Sequence, residues 1–490
     1  MRARQPDCAG TARRDGLSLA FETFGHGDRT LLLMPPWAIV HSRAWKAQIP
    51  YLARHFRVVT YDPLGNGKSD RSQDPSQYTD WKRVADALAV MDATATRSAI
   101  VIAICSEAWT ATLLAAEHPE RVDGLIFFAP VTPYGETLAQ REVYGFDDVL
   151  ETHEGWAKEN RHYWASNFRD FLEFFFTQAL YEPHSTKQLE DSIAWGMETT
   201  PHTLTATVDA PEYLATLTAD SPELAALYGQ IRCPVMVFQG DRDGLVSPTR
   251  GDAVARATEA EYVVFEGGGH LLWARHPVKV NLMIREFAER RYSMQPASRW
   301  PVARTRKRRA LYISSPIGLG HAQRDIAIAK ELRKVHPDLE IDWLAQDPVT
   351  RVLEAEGERI HPASAFLASE SAHIESESAE HDLHAFQAVR NMDEILVNNF
   401  MVFHDIVRDE PYDLWIGDEA WELDYFLHEN PEEKRASYVW MTDFVGWLPM
   451  PDGGEREAFV TSDYNAEMIE HIARYPRLRD RSIFVGNPDD

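Results

Sequence analysis

The 490-residue sequence is poor in cysteine, in basic charge and in long apolar runs, and each shortage removes a class of protein. Three cysteines, Cys8, Cys105 and Cys233, cannot staple a chain of this length, and none lies in a CxxC pair or a zinc-ligand spacing. No apolar run approaches the length of a membrane helix. The start, Met1 to Asp15, is polar and lacks a signal-peptide core, so the expectation is a cytoplasmic protein that neither crosses nor binds a membrane. Lys and Arg number 50 against 76 Asp and Glu, a net charge of −26 that would repel phosphates, and nucleic acid is not expected as a partner.

The charge is unevenly distributed. Residues 310–490 hold 15 basic and 37 acidic side chains, net −22, whereas residues 1–309 hold 35 and 39, net −4. Between the two parts, Arg290 to Arg309 (RRYSMQPASRWPVARTRKRR) has basic residues, Pro and Ser in place of apolar periodicity. That composition reads as a linker, placed at 293–309, between domains at 16–292 and 310–490.

Residues 16–292 alternate strand-like apolar runs with helical stretches: Thr30–Met34, Phe56–Tyr61, Ser98–Ile104, Gly124–Ala129, Val235–Gln239 and Glu261–Phe265. The expectation is an α/β domain with a mostly parallel sheet and function at the carboxyl ends of its strands. After Ser98–Ile104 the sequence reads Ala103-Ile104-Cys105-Ser106-Glu107-Ala108-Trp109, then a helical run to His118-Pro119-Glu120-Arg121-Val122. This resembles the nucleophile elbow of the α/β-hydrolase family, usually G-x-S-x-G. Cys105 and Ser106 are both nucleophiles by chemistry. The register favours Cys105, because it puts Ala108, Ala111 and Ala115 where the family keeps small residues; Ser106 is the alternative. A cysteine nucleophile has precedent in relatives such as dienelactone hydrolases.

Two further segments resemble the family in the required order. Pro234–Pro248 (PVMVFQGDRDGLVSP) puts the catalytic acid at Asp243, and Glu266–Pro277 (EGGGHLLWARHP) makes His270 the base. Asp62 to Ser69 (DPLGNGKS) is similar to the family's glycine turn, a structural element. The elbow departs from the pattern at Ala103 and Glu107, where the smallest residues are usual. Glu107 either turns away from the thiol, takes part in the chemistry, or marks a degraded site. Leu31–Trp37 (LLLMPPW) stands in place of the oxyanion loop; Pro36 has no N–H, so the resemblance assigns the oxyanion hole to the backbone N–H groups of Ser106 and Trp37. An insertion, about 131–225 and rich in aromatics (Trp156, Tyr163, Trp164, Phe168, Phe171 to Phe176, Trp195), corresponds to the family's helical cap. Those aromatics either receive a hydrophobic acyl group or pack the cap onto the core.

In the second part, Leu311–Ser315 reads as a strand, Pro316-Ile317-Gly318-Leu319-Gly320-His321 as a glycine-rich loop carried by Gly318 and Gly320, and Ala322–Val335 as a helix, with Ile341–Ala345 a second strand. This looks like the opening of the Rossmann-like acceptor half of a GT-B glycosyltransferase of the family 1 or macrolide-transferase kind. The resemblance makes His321 the base and Asp418, in Pro411–Glu422 (PYDLWIGDEAWE), its partner. The bland alternative for His321 is a helix-end cap. Ile483 to Asp490 falls where the donor half of such an enzyme would begin, so no donor site is expected within these residues. Glu370–His384 (ESAHIESESAEHDLH) reads as a solvated acidic loop rather than a metal site. The combined expectation is an esterase-type hydrolase acting on a small-molecule ester, thioester or lactone, hydrophobic or glycosylated, with no cofactor and no metal, fused to a partial glycosyltransferase. A non-catalytic binding or scaffold protein is the alternative.

Overall fold

The computed structural model describes residues 1–290, 306–378, 384–451 and 453–486. The chain divides into two compact units, Gln5–Tyr292 and Ser293–Asp490 with Met1–Arg4. Most of the basic stretch read as a linker, and residues 379–383 of the acidic stretch, lie outside the described residues. Among the described residues no helix is long and apolar enough to cross a membrane.

The first unit is built on eight strands: β1 (Cys8–Arg14), β2 (Leu17–Phe24), β3 (Thr30–Leu33), β4 (Arg57–Tyr61), β5 (Ala99–Ile104), β6 (Val122–Phe128), β7 (Val235–Gly240) and β8 (Glu261–Phe265). They lie in the order β1-β2-β4-β3-β5-β6-β7-β8. β1 pairs antiparallel with β2 and β2 with β4, and every later pairing is parallel. The central strands read as unbroken apolar runs because helices cover both faces, and all six residues of β5 and of β7 are buried. The sequence reading starts this domain at residue 16 and misses β1. That strand, CAGTARR, is short and polar, and its apolar content alternates too weakly to announce an edge strand.

The helix Glu107–Glu117 packs Ala108, Ala111 and Ala115 into the core, each at most 1% exposed. Small side chains there let the helix axis approach the sheet and fix the direction from which β5 delivers the residue ahead of it. The cap carries the helix Arg161–Ala179, whose N-cap Asn160 accepts the N–H groups of His162 and Tyr163. Its aromatics are largely packing: Trp164 packs at a tilt on Phe171 with ring centroids 4.5 Å apart, and the Trp37 ring centroid sits 6.1 Å from that of Phe175.

The second unit holds six parallel strands: β9 (Arg309–Ser314), β10 (Glu340–Leu344), β11 (Arg359–Ile360), β12 (Leu414–Asp418), β13 (Ser437–Thr442) and β14 (Arg481–Phe484). Their order, β11-β10-β9-β12-β13-β14, starts near the middle and winds outward both ways, a doubly wound parallel sheet compatible with a Rossmann-like unit. Ile483 and Phe484 lie in β14, at the edge of this same sheet. One expectation is corrected here. Glu370–Glu377 is a helix, not a solvated loop; Glu370 and His373 are buried in it because their polar atoms find partners, Gln346 and Asn399 for the former and the Ala388 carbonyl for the latter.

The end of β7 leaves no room for a side chain. A Cβ on Gly240 would stand 2.2 Å from the carbonyl oxygens of both Gly268 and Gly269. Gly240→Ala is therefore expected to destabilise the first unit by roughly 2–4 kcal/mol. Urea unfolding followed by tryptophan fluorescence measures it; an unchanged midpoint would contradict the packing described.

Candidate active site

β5 ends at Ile104, the helix begins at Glu107, and Cys105 turns the chain between them with φ +53°. A left-handed conformation at a residue bearing a side chain costs about 1 kcal/mol or more, so the surroundings must hold it. They do: the Cys105 N–H donates to the Phe128 carbonyl (2.8 Å), and its own carbonyl accepts from Ala108 (3.2 Å) and Val131 (3.0 Å). The half-buried Cys105 thiol acts electrostatically on the His270 side chain. Ser106 has ordinary right-handed geometry, and its buried Oγ has no partner. The left-handed position of the turn is thus occupied by Cys105 and not by Ser106.

His270 and Asp243 arrive from the loops after β8 and β7. Nδ1 of His270 lies 2.7 Å from Oδ2 of Asp243, whose Oδ1 accepts the N–H groups of Leu245 (2.8 Å) and Val246 (2.9 Å). Both side chains are buried. With the carboxylate saturated by donors, Nδ1 of His270 carries the proton and Nε2 is left for the thiol. Burial alone would lower the imidazole pKa; the charges of Asp243 and Cys105 outweigh it and push the pKa up to about 10. The histidine loop is tied down by two bonds that sequence reasoning missed: His270 N–H to the Ala179 carbonyl (2.7 Å) and Gly269 N–H to Oε1 of Glu182 (2.9 Å). Glu182 lies in the variable cap, and no spacing in the sequence links it to residue 269.

The remaining expected residues are placed as follows. The Trp37 indole donates to Thr207 Oγ1 (2.8 Å) and packs on cap aromatics. Among the described residues, neither the Trp37 nor the Ser106 backbone N–H donates to a protein acceptor, which leaves both for an oxyanion. Glu107 is buried, with Arg83 Nε 3.6 Å from its carboxylate. Its pKa is raised by burial, against the pull of Arg83. Arg83 also binds Asp80 (2.5 Å) and lies 3.5 Å from Glu212. Glu107 therefore belongs to a buried ion network behind the helix, the first of the three alternatives.

In the second unit, β9 and β12 are the strands at which the winding reverses, and their ends bring His321 and Asp418 together, with Nδ1 2.8 Å from Oδ2. The hydrogen bond to Asp418 raises the His321 pKa against the opposing effect of burial. Arg324, not anticipated, meets both oxygens of buried Asp418 at 2.6 and 2.7 Å. Its Nη2 also lies 2.8 Å from Nδ1 of His321. Because the carboxylate engages the Nη2 protons, Nδ1–H points to Asp418 and Nε2 keeps its lone pair. The glycine-rich loop is shorter than expected: Gly318 has φ +111°, but the helix spans Leu319–Val335, so Gly320 and His321 sit in its first turn. His321 binds Asp418 rather than capping that helix. Elsewhere Glu429, Glu467 and His471 come within 4.8 Å of one another, with Glu429 paired to His471 (2.6 Å) and Glu467 to the Tyr425 hydroxyl (2.9 Å).

A nucleophile on a left-handed strand-to-helix turn, followed along the chain by a buried acid and then a histidine, over a sheet with this strand order, defines a class of α/β enzyme scaffold. The profile described as "alpha/beta hydrolase fold" matches residues 32–277, just over half of the chain, and the chain belongs to that family. A pimeloyl-[acyl-carrier protein] methyl ester esterase from Sodalis glossinidius (strain morsitans) is 26% identical over 275 residues, covering 56% of this chain and 98% of that protein. Among solved structures, a hydrolase from Pseudomonas aeruginosa PA01 is 22% identical with a TM-score of 0.47, covering 58% of this chain and 99% of that one. The enol-lactonase from Burkholderia xenovorans LB400 is 19% identical with a TM-score of 0.47, covering 57% and 99%.

A histidine whose folded pKa is raised stabilises the fold at low pH. That contribution is complete below the unfolded value of about 6.5 and is lost as pH rises through about 10. Asp243→Asn is expected to lower the unfolding free energy of the first unit by on the order of 3 kcal/mol at pH 6, the gap closing towards pH 10. Denaturant titrations across that range test it, and a gap that widens with pH would reverse the assigned sign.

Proposed function

We propose that the first unit hydrolyses a carboxylic ester, thioester or lactone through a covalent acyl-enzyme on Cys105. The observation that carries this reading is the left-handed turn that presents Cys105 to a histidine whose other nitrogen is held by a buried carboxylate. His270, whose raised pKa lets it hold the thiol proton at neutral pH, pairs with the thiolate, and the sulfur attacks the carbonyl carbon. The resulting oxyanion accepts hydrogen bonds from the Ser106 and Trp37 N–H groups. The C–O (or C–S) bond then breaks as the leaving group takes the proton from His270. Water, deprotonated by the same imidazole, attacks the thioester, releases the acid and returns the thiol. Asp243 fixes the tautomer and balances the imidazolium charge throughout. The relative's name, a methyl ester esterase, agrees with this reaction class.

For the second unit, the finer reading is the acceptor half of a GT-B glycosyltransferase, with His321 as base for an acceptor hydroxyl and Asp418 as its orienting partner. What supports it is the doubly wound strand order, with the histidine–aspartate pair at its reversal point. A hydrolase and a sugar transferase acting on one metabolite is then the sense of the fusion. Binding titrations separate the options: saturable binding of hydroxylated aglycones with no response to nucleotide sugars supports an acceptor half, and tight nucleotide-sugar binding would remove that reading.

The decisive experiment for the hydrolase is turnover and intact-mass analysis with activated esters. Cys105→Ala is expected to lose the acyl adduct and at least 10³-fold in kcat, on the order seen for lost nucleophiles. Ser106→Ala is expected to lose less than tenfold. Loss in the Ser106 variant alone would move the nucleophile by one residue, and no adduct in any variant would favour a binding protein.

A further inference from the structure

A cavity lies beside the first turn of the elbow helix, and two of the polar groups on its wall have nothing to bind. Its volume is about 30 Å³, room for about two waters or one small head group, and its wall includes Trp37, Tyr61, Tyr78, Arg83, Asp86 and Glu107. Trp37 and Tyr78 offer it ring surface only, because the indole N–H goes to Thr207 Oγ1 (2.8 Å) and the Tyr78 hydroxyl to the Ser72 carbonyl (2.6 Å). The Tyr61 hydroxyl and the Glu107 carboxylate are not committed in this way. Tyr61 is 3% exposed and Glu107 5%, and among the described residues neither side chain makes a hydrogen bond. Buried polar groups are nearly always paired, so two such groups on one cavity wall are satisfied when a ligand supplies their partners.

The charge around the cavity selects the kind of ligand. Arg83 is in contact with three carboxylates, Asp80 (2.5 Å), Glu212 (3.5 Å) and Glu107 (3.6 Å). Asp86 is matched by Arg14 (2.6 Å), so four carboxylates share two guanidinium groups. Burial pushes the Asp86 pKa up to about 6 and raises those of Glu107 and Glu212, as befits carboxylates short of counter-charge. Burial and then the charge of Glu107 raise the Tyr61 pKa, which keeps it a neutral phenol with a lone pair to offer. An anion would be repelled here. An ammonium group would donate to Glu107 and Tyr61 together and lie beside aromatic rings, whose faces attract cations.

We propose that this cavity binds the ammonium end of a primary amine, with Glu107 as its counter-ion and Tyr61 as a second acceptor. Neither Cys105 nor His270 lines it, yet Glu107 stands two residues beyond Cys105, and Trp37 carries one of the N–H groups assigned to the oxyanion. The amine is either a substituent of the ester or a second molecule. The binding test does not depend on Cys105 being the nucleophile.

Calorimetric titration of the full-length chain with propylammonium chloride, propanol and sodium butyrate makes the test. Only propylammonium is expected to bind saturably. Glu107→Gln should weaken that binding by about tenfold, the order of one charge-assisted hydrogen bond, and Tyr61→Phe, which keeps the ring and removes the hydroxyl, by about threefold. Thermal unfolding checks that each variant folds; should Glu107→Gln fail to, Tyr61→Phe carries the test. Propanol binding as tightly as propylammonium, or an affinity for propylammonium unchanged in the folded variants, overturns the proposal. Flat titrations with all three probes reject it as well and leave the cavity to water. The source of the amine is read from the kcat/KM ratio of p-nitrophenyl aminohexanoate, its amine at the far end of the chain, to p-nitrophenyl hexanoate. A ratio above one that falls in Tyr61→Phe or Glu107→Gln puts the ammonium on the ester. Equal use of the two esters by a chain that binds propylammonium makes the amine a second molecule.

Discussion

The first unit depends on one strained residue. Cys105 is held at positive φ because β5 below it is wholly buried, the helix after it is pressed to the sheet through alanines, and three backbone hydrogen bonds leave the turn no other path. Every other part of the site is arranged around that fixed point. Asp243 and His270 come from loops at the same edge of the sheet. The strain is local, but the packing that maintains it draws on the whole core.

The two units use the same electrostatic device at different depths. In each, a carboxylate at a strand end or in the loop beyond it accepts the Nδ1 proton of a histidine. In the first, the pair is buried and its carboxylate is otherwise held by uncharged backbone N–H groups, so the imidazole feels nearly the full charge. In the second, Arg324 shares the carboxylate and screens it. The same pairing therefore makes a strongly basic imidazole in one unit and a moderated one in the other.

Much of this was legible in the chain, for definable reasons. The central strands were read nearly to the residue because burial on both faces makes them continuously apolar. Cys105, His270 and Asp243 were singled out because each follows such a strand and because glycine, proline and charge cluster around them. The edge strand β1 was missed because its composition is that of a loop. Arg83, Glu182 and Arg324 were missed for another reason: their partners are fixed by tertiary folding, and nothing local in the sequence distinguishes them from surface charges. The stretch Glu370–Glu377 misled in the same way, since two of its polar residues are buried only because Gln346, Asn399 and the Ala388 carbonyl meet them there.

The bond between Glu182 and Gly269 ties the histidine loop to the end of the cap's long helix, as does the bond from His270 to Ala179. The cap is thus not a lid laid over a finished site, because one of its ends is part of the scaffold that holds the base. Moving that end outward would carry the histidine loop with it, so two hydrogen bonds couple the placing of the cap to the placing of His270.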